Sequence, residues 1–65
     1  MSGDRPGSRE VYFEFTPVGG TMKVVAIDAA SGTEVTVMGP VRTPQGDLQR
    51  LALQKLMARL ARESQ

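Results

Sequence analysis

Apolar and polar residues alternate along three short segments of this 65-residue chain. Strict alternation is typical of a strand with one buried face, so the pattern predicts strands over residues 10–16, 21–28 and 33–39. The apolar residues that this alternation places on one common face are Val11, Phe13, Phe15, Met22, Val24, Ala26, Val35 and Val37. The opposite face is mixed, because it carries both charged and apolar side chains.

Two four-residue loops, residues 17–20 and 29–32, connect the predicted strands, and each ends in glycine. Glycine tolerates the left-handed backbone that closes such a connection. A slip of one residue would scatter the apolar set over both faces, so the pattern favours one register. The directly opposed pairs in that register are Phe15 with Met22, Phe13 with Val24, Val11 with Ala26, Val24 with Val37, Ala26 with Val35, Glu14 with Lys23 and Tyr12 with Val25.

A helix is predicted to follow the third strand and to run to about residue 62. Thr43 can cap its start, Pro44 suits the first helical position, and Asp47 lies near the positive end of the helix dipole. At about 100° per residue, one apolar stripe forms on this helix. Its members are Ala52, Leu53, Leu56, Met57 and Leu60. We expect this stripe to cover the common apolar face of the sheet.

These elements predict an α+β fold, a three-stranded antiparallel meander in the order 1-2-3 with one C-terminal helix on one face. Residues 1–9 lack large apolar side chains and are predicted to form a flexible tail, leaving residues 10–65 as a single β-β-β-α domain. A chain this short buries little surface and usually needs a further source of stability. We therefore expect a homodimer, and the connection over residues 39–47 would also allow the helix to swap between copies.

The composition excludes several classes of site. The chain contains no cysteine and no histidine, so a disulfide, a zinc-thiolate centre and a histidine base are impossible. Glu10 and Glu14 are interpreted as solvated surface, and the glycine-containing loops as turns. We expect no enzyme activity and no cofactor. Because no apolar run approaches the roughly 20 residues that span a bilayer, we expect a cytoplasmic protein without membrane contact.

Apolar residues outside the predicted core indicate how the chain associates. Four of them lie on the mixed sheet face, Leu51 projects from the helix away from its main stripe, and Leu48 lies between the two regions. The candidate interface residues are Tyr12, Val25, Ile27, Met38, Leu48 and Leu51. They favour a small non-catalytic module that forms a homodimer and binds another protein, whose identity the sequence does not reveal.

Positive charge is concentrated in the C-terminal part of the chain, although the net charge is only +1. The residues that could contact a polyanion are Arg42, Arg50, Lys55, Arg59 and Arg62. Weak nucleic-acid binding through the helix is therefore the alternative function. Glu10, Glu14 and Glu34 lie on the mixed sheet face and would repel phosphates, so we do not expect that face to bind nucleic acid.

Several short runs occur here in a characteristic order. They are VYFEF at 11–15, VVAID at 24–28, GTEV at 32–35 and GP at 39–40, followed by the leucine-rich helix. This order resembles a family of short, uncharacterised proteins of alphaproteobacteria over roughly residues 9–62. The resemblance implies a small cytoplasmic bacterial protein with this fold, and it implies no activity, ligand or site residue.

Overall fold

A computed structural model describes residues 9–64 of the chain. The strands are β1 (Val11–Val18), β2 (Thr21–Asp28) and β3 (Glu34–Pro40), and the helix is α1 (Gln45–Glu63). The strands form one antiparallel sheet in the order β1-β2-β3, so the predicted α+β meander with a C-terminal helix is confirmed. The predicted flexible tail lies outside the described residues except for its last member, Arg9. That residue forms an ion pair with Asp28 instead of remaining free of the fold.

The predicted register of the first hairpin is wrong by two residues. Phe15 lies opposite Val24 rather than Met22, and Phe13 lies opposite Ala26. The strands continue through Val18, and only Gly19 and Gly20 remain in the turn. Since a shift of two residues preserves the faces of a strand, the common apolar face survives although its cross-strand pairs change.

The turn geometry explains the shift. Gly19 has a φ of 61°, whereas Gly20 does not have a positive φ. This combination matches a two-residue type II′ turn, whose twist suits a hairpin better than that of a four-residue loop built on a type I turn. As a result Lys23 lies opposite Thr16, and the predicted pairing of Lys23 with Glu14 is wrong.

The predicted register of the second hairpin is confirmed. The Asp28 N–H donates to the Thr33 carbonyl at 2.9 Å, and Val24 lies opposite Val37. The four-residue connection closes through a bond of 2.8 Å from the Gly32 N–H to the Asp28 carbonyl. Gly32 has a φ of 78°, which is the left-handed conformation expected at the end of this loop.

The helix begins one residue later than predicted. Pro44 occupies the N-cap position rather than the first helical position, and no side chain caps the helix. Thr43 therefore does not act as the cap. It belongs to the turn before α1, where its N–H donates to the Pro40 carbonyl at 2.9 Å. Asp47 does lie in the first turn, where its charge favours the helix dipole.

The core lies between α1 and the strands β2 and β3, which are the elements that the helix packs against. Its buried apolar residues are Met22, Val24, Ala26, Val35, Leu48, Ala52 and Leu56. Leu48 is only 3% exposed, so its prediction as an interface residue is wrong for this fold. Conversely, Leu53 and Met57 from the predicted stripe are 37% and 38% exposed. The helix lies over two strands rather than three. The side of α1 that is buried therefore carries Leu48, Ala52 and Leu56 instead of Leu53 and Met57.

Candidate interaction surfaces

The sheet face opposite α1 carries four of the predicted interface residues. Tyr12 and Ile27 are directly opposed across β1 and β2, and Val25 follows on the same face of β2. Met38 on β3 lies opposite Lys23. Tyr12 and Met38 are each 55% exposed, while Val25 and Ile27 in the central strand are half-buried. We call these four apolar residues the outer patch.

Charged and polar side chains surround the outer patch. Glu14 and Thr36 flank Val25, and Glu34 lies opposite Ile27. The face is therefore an apolar centre interrupted by charge rather than a continuous hydrophobic sheet. An apolar area with a polar rim is the composition of protein-binding surfaces.

Leu51 lies on a different part of the molecule. It is 53% exposed and precedes Lys55 by one turn, so both side chains lie on the same side of α1. The Lys55 Nζ donates to the Thr36 carbonyl at 2.7 Å, which directs this side of the helix toward the open edge of β3. The six predicted interface residues are thus divided among the outer patch, the helix and the core.

The opposite side of the helix borders a second apolar surface that sequence reasoning missed. Leu53 and Met57 each lie two residues from Lys55, or about 200° around the helix, which is the side of α1 away from the β3 edge. Phe13 and Phe15 on β1 are only half-buried, because α1 packs over β2 and β3. We call this opening the β1 groove. It is bordered by the half-buried Val11, Phe13, Phe15 and Leu60 and by the exposed Leu53 and Met57.

A polar network lies where the β2–β3 connection meets the N-terminal segment. Asp28 has no exposed surface. Its Oδ2 accepts hydrogen bonds from the Ser31 Oγ at 2.6 Å and the Ser31 N–H at 2.9 Å, and it pairs with the Arg9 Nη1 at 2.9 Å. The Ser31 hydroxyl is the main cause that lowers the pKa of Asp28, and Arg9 adds to the lowering, while burial opposes both.

The same network reaches the end of α1. The Thr33 Oγ1, which lies 3.0 Å from the Ser31 Oγ, donates to the Glu63 Oε1 at 3.0 Å. The Arg59 Nε donates to the other oxygen of this carboxylate, Glu63 Oε2, at 3.1 Å. These bonds tie the β2–β3 connection to the last turn of the helix.

The five predicted polyanion contacts do not form one uninterrupted patch. Arg50 pairs with a carboxylate of α1 at 3.3 Å, Arg59 pairs with another at 3.1 Å, and Lys55 is engaged by the backbone of β3. Arg42 lies exposed in the connection before α1, and Arg62 lies exposed in the last turn. The cations of the helix therefore already have partners at three of its four positions.

Metal-binding and membrane-spanning features were sought over residues 9–64. This part of the chain contains no group of three or more acidic side chains placed to hold a metal ion. Its helix is not long and apolar enough to cross a bilayer.

The fold and these surfaces define a small single-sheet protein with one covering helix and two partly open apolar surfaces. The chain belongs to the family defined by a domain of unknown function, DUF6898, which matches residues 8–63. Membership of an uncharacterised family is therefore confirmed, and the alphaproteobacterial origin stays a prediction. No curated protein and no solved structure matches the chain.

Proposed function

We propose that this protein is a small, non-catalytic protein-interaction module that acts as a homodimer. The observation that carries the proposal is the outer patch, which no element between residues 9 and 64 covers. The cytoplasmic location implied by the family resemblance is part of the same proposal. The outer patch binds the partner protein, and self-association stabilises the small fold.

The physical support for partner binding is the free energy of covering the outer patch. Each apolar side chain removed from water contributes about 1.5–3 kcal/mol when its burial is complete. Tyr12 and Met38 expose more than half of their surface, and both residue types are enriched in protein interfaces. The central strand supplies a rigid base, since Val25 and Ile27 are held between two neighbouring strands.

The support for a homodimer is the incomplete cover that the single helix gives to the sheet. One helix covers two strands of a three-stranded sheet, and Phe13 and Phe15 on the third strand stay half-buried. The chain has no cysteine that could supply a stabilising cross-link. Association with a second copy would remove this apolar surface from water.

The test of partner binding compares two polar variants in affinity capture from a cytoplasmic extract. Val25→Thr combined with Met38→Thr makes the outer patch polar and keeps side chains that suit a strand. The matched control is Val41→Thr, which changes an exposed apolar residue outside the sheet. We expect the captured protein to be lost with the double variant and retained with the control. Equal capture by both variants would contradict the proposed role of the outer patch.

The test of self-association is sedimentation of the purified protein across a range of concentrations. We expect a dimer at micromolar concentration. A monomer at high micromolar concentration would contradict the homodimer without bearing on the outer patch.

Nucleic-acid binding by the helix is the alternative. Lys55, Arg59 and Arg62 lie on one side of α1, which is the arrangement that could follow successive phosphates. Two of these three cations have partners within the chain, and a phosphate would have to displace them. This competition makes the interaction module the better-supported function.

A further inference from the structure

We propose that two copies of this chain associate through β1, which pairs with itself in antiparallel orientation with Phe13 on the two-fold axis. The two three-stranded sheets then form one continuous sheet, and the β1 groove of each copy opens onto that of the other. This inference rests on the proposed homodimer and specifies the surface that forms it.

The first argument is the direction of the backbone groups on β1. The Glu10 carbonyl accepts from the Ala29 N–H at 3.0 Å, so Glu10 faces the β2 side. Backbone groups alternate in direction along an antiparallel strand. The N–H and C=O groups of Val11, Phe13 and Phe15 therefore point away from β2. Among residues 9–64, no hydrogen bond outside the sheet uses these outward groups. They are the donors and acceptors that an added strand requires.

The second argument is that the same three residues carry the apolar floor of the β1 groove. Their side chains lie on the α1 side of the sheet and are half-buried. A strand added at this edge places its own side chains beside them on the same face. A second β1 supplies its own Val11, Phe13 and Phe15, so apolar side chains lie beside apolar side chains at all three positions.

The third argument is the register, because charge and proline disfavour both alignments next to the proposed one. With Phe13 opposite Phe13 of the second copy, Val11 lies opposite Phe15, and Tyr12 lies opposite Glu14. If Glu14 instead of Phe13 lies on the two-fold axis, Glu14 lies opposite Glu14 of the second copy. If Tyr12 lies on the axis, Glu10 lies opposite Glu14. Like charges directly opposite one another destabilise a strand pair. The first of these alignments also uses Pro17, which has no N–H.

The fourth argument is the contrast with the other edge of the sheet. The Thr36 carbonyl at the open edge of β3 is occupied by the Lys55 Nζ. Pro40 on the same edge has no N–H, and its carbonyl accepts from Thr43. Lysine and proline are devices that protect an edge against added strands. Among the described residues, the Val11–Phe15 stretch of β1 carries neither device, since Pro17 lies beyond its end. With β3 protected, pairing through β1 closes at two copies rather than continuing into a filament.

The experiment uses the absence of native cysteine. Tyr12→Cys and Glu14→Cys are made in separate chains, mixed, unfolded, refolded together and mildly oxidised. In the proposed register these two positions form a non-hydrogen-bonded pair with Cα atoms about 4.5 Å apart, within the range that a disulfide bridges. We expect the mixture to yield a species of twice the 7.0 kDa chain mass on a non-reducing gel.

The controls report the register. Each single variant alone is expected to stay uncross-linked. In a dimer of one variant, the cysteines of the two copies are diagonal neighbours about 7–8 Å apart. Tyr12→Cys mixed with Thr16→Cys is the matched control and is also expected to stay uncross-linked. Cross-linking in that control, or none in the first mixture, would overturn the proposal. All three substituted residues are exposed, and circular dichroism verifies that the variants fold.

Hydrogen exchange of the unmodified protein gives an independent test. The Phe13 and Phe15 amides, which face away from β2, are expected to gain protection as the protein concentration rises. The Glu14 and Thr16 amides, which face β2, are expected to be protected at every concentration. A dimer detected by sedimentation without this alternation would overturn the β1 pairing and leave the homodimer standing. A monomer at all concentrations would overturn both.

Discussion

Leu48 fills the space that a side chain at Gly39 would occupy. A β-carbon added to Gly39 would lie 2.8 Å from the Leu48 Cδ2, which is closer than such atoms can approach. Gly39 lies on the inner face near the end of β3, and Leu48 lies in the first part of α1. The absence of a side chain on the strand therefore allows the start of the helix to pack directly against the sheet.

Gly39→Ala is expected to destabilise the protein by about 1–3 kcal/mol, because Leu48 must shift within a packed core. Leu48→Ala alone is expected to cost about 2–5 kcal/mol through lost burial and an unfilled cavity. In the double variant the added methyl enters the space left by the leucine, so the total cost is less than the sum. Denaturant unfolding of the four proteins measures this coupling. Simple additivity of the two costs would contradict the close packing.

The turn between β1 and β2 predicts different effects for two adjacent glycines. Gly19→Ala is expected to cost about 1–2 kcal/mol, because alanine is strained at a φ of 61°. Gly20→Ala is the matched control and is expected to change stability little, since Gly20 does not have a positive φ and a β-carbon there meets nothing within 4 Å. Thermal unfolding compares the two variants. A larger cost at Gly20 would favour a four-residue loop that ends in a left-handed Gly20.

Asp28 predicts a loss of stability in acid. Its hydrogen bonds lower its pKa in the folded protein, whereas the unfolded chain has the ordinary carboxyl pKa of about 3.9. The unfolded chain thus binds the proton first, and the stabilisation present above that value is lost as the pH falls toward the lowered pKa of Asp28. We expect Asp28→Asn to weaken this pH dependence in thermal unfolding followed from neutral pH into acid.

Ser31→Ala tests the cause of the lowered pKa. Removing the hydroxyl is expected to raise the pKa of Asp28 and to reduce the contribution of this residue to acid sensitivity. Ser64→Ala is the matched control, because the Ser64 Oγ donates to the Ala61 carbonyl and does not touch Asp28. An unchanged Asp28 titration in Ser31→Ala, followed by carboxyl chemical shifts, would disprove the assigned cause.

Lys55 predicts an effect on association through the β3 edge. Lys55→Met frees the Thr36 carbonyl and is expected to promote species larger than a dimer, which light scattering detects. Its effect on the free energy of unfolding is expected to stay within about 0.5 kcal/mol, since the residue is exposed. Arg62→Met removes the same charge from an exposed position of the last turn and serves as the control. Equal growth of large species in both variants would implicate net charge rather than the edge.

The ion pairs of the helix predict weak retention on a polyanion column. We expect the protein to elute by about 0.2 M salt, because few cations are available to displace counterions from phosphates. Arg59→Glu and Arg50→Glu are expected to reduce any retention equally, as each changes one paired cation. Strong retention at higher salt that only Arg59→Glu abolishes would favour nucleic-acid binding instead.

Much of the fold could be predicted from the sequence because strand faces depend on a period of two. Phe13, Phe15 and Val24 lie on the inner face as predicted, even though the first hairpin has a different register. The register was wrong because Pro17 and Val18 read as turn residues, whereas Gly19 and Gly20 alone make the turn. No local signal distinguishes a tight turn from a longer loop when a shift of two residues leaves every side chain on its face.

The candidate surfaces were harder to predict than the strands. Tyr12 and Met38 were correctly placed on the face away from the helix, because alternation alone determines that placement. Leu48 was misplaced, because its burial depends on Gly39, a residue nine positions earlier in the chain. The Asp28 network was missed because it joins residues separated by up to 30 positions, and only folding brings Thr33 to Glu63.

The three strands, their order, their inner faces and the following helix can be predicted from the order of residues, since each depends on interactions between near neighbours in the chain. The position of the helix across the sheet depends instead on three-dimensional packing. By packing over β2 and β3, α1 buries Leu48 and leaves Phe13 and Phe15 half-covered. That choice follows from the close fit of side chains in three dimensions, which hydrophobic periodicity does not encode.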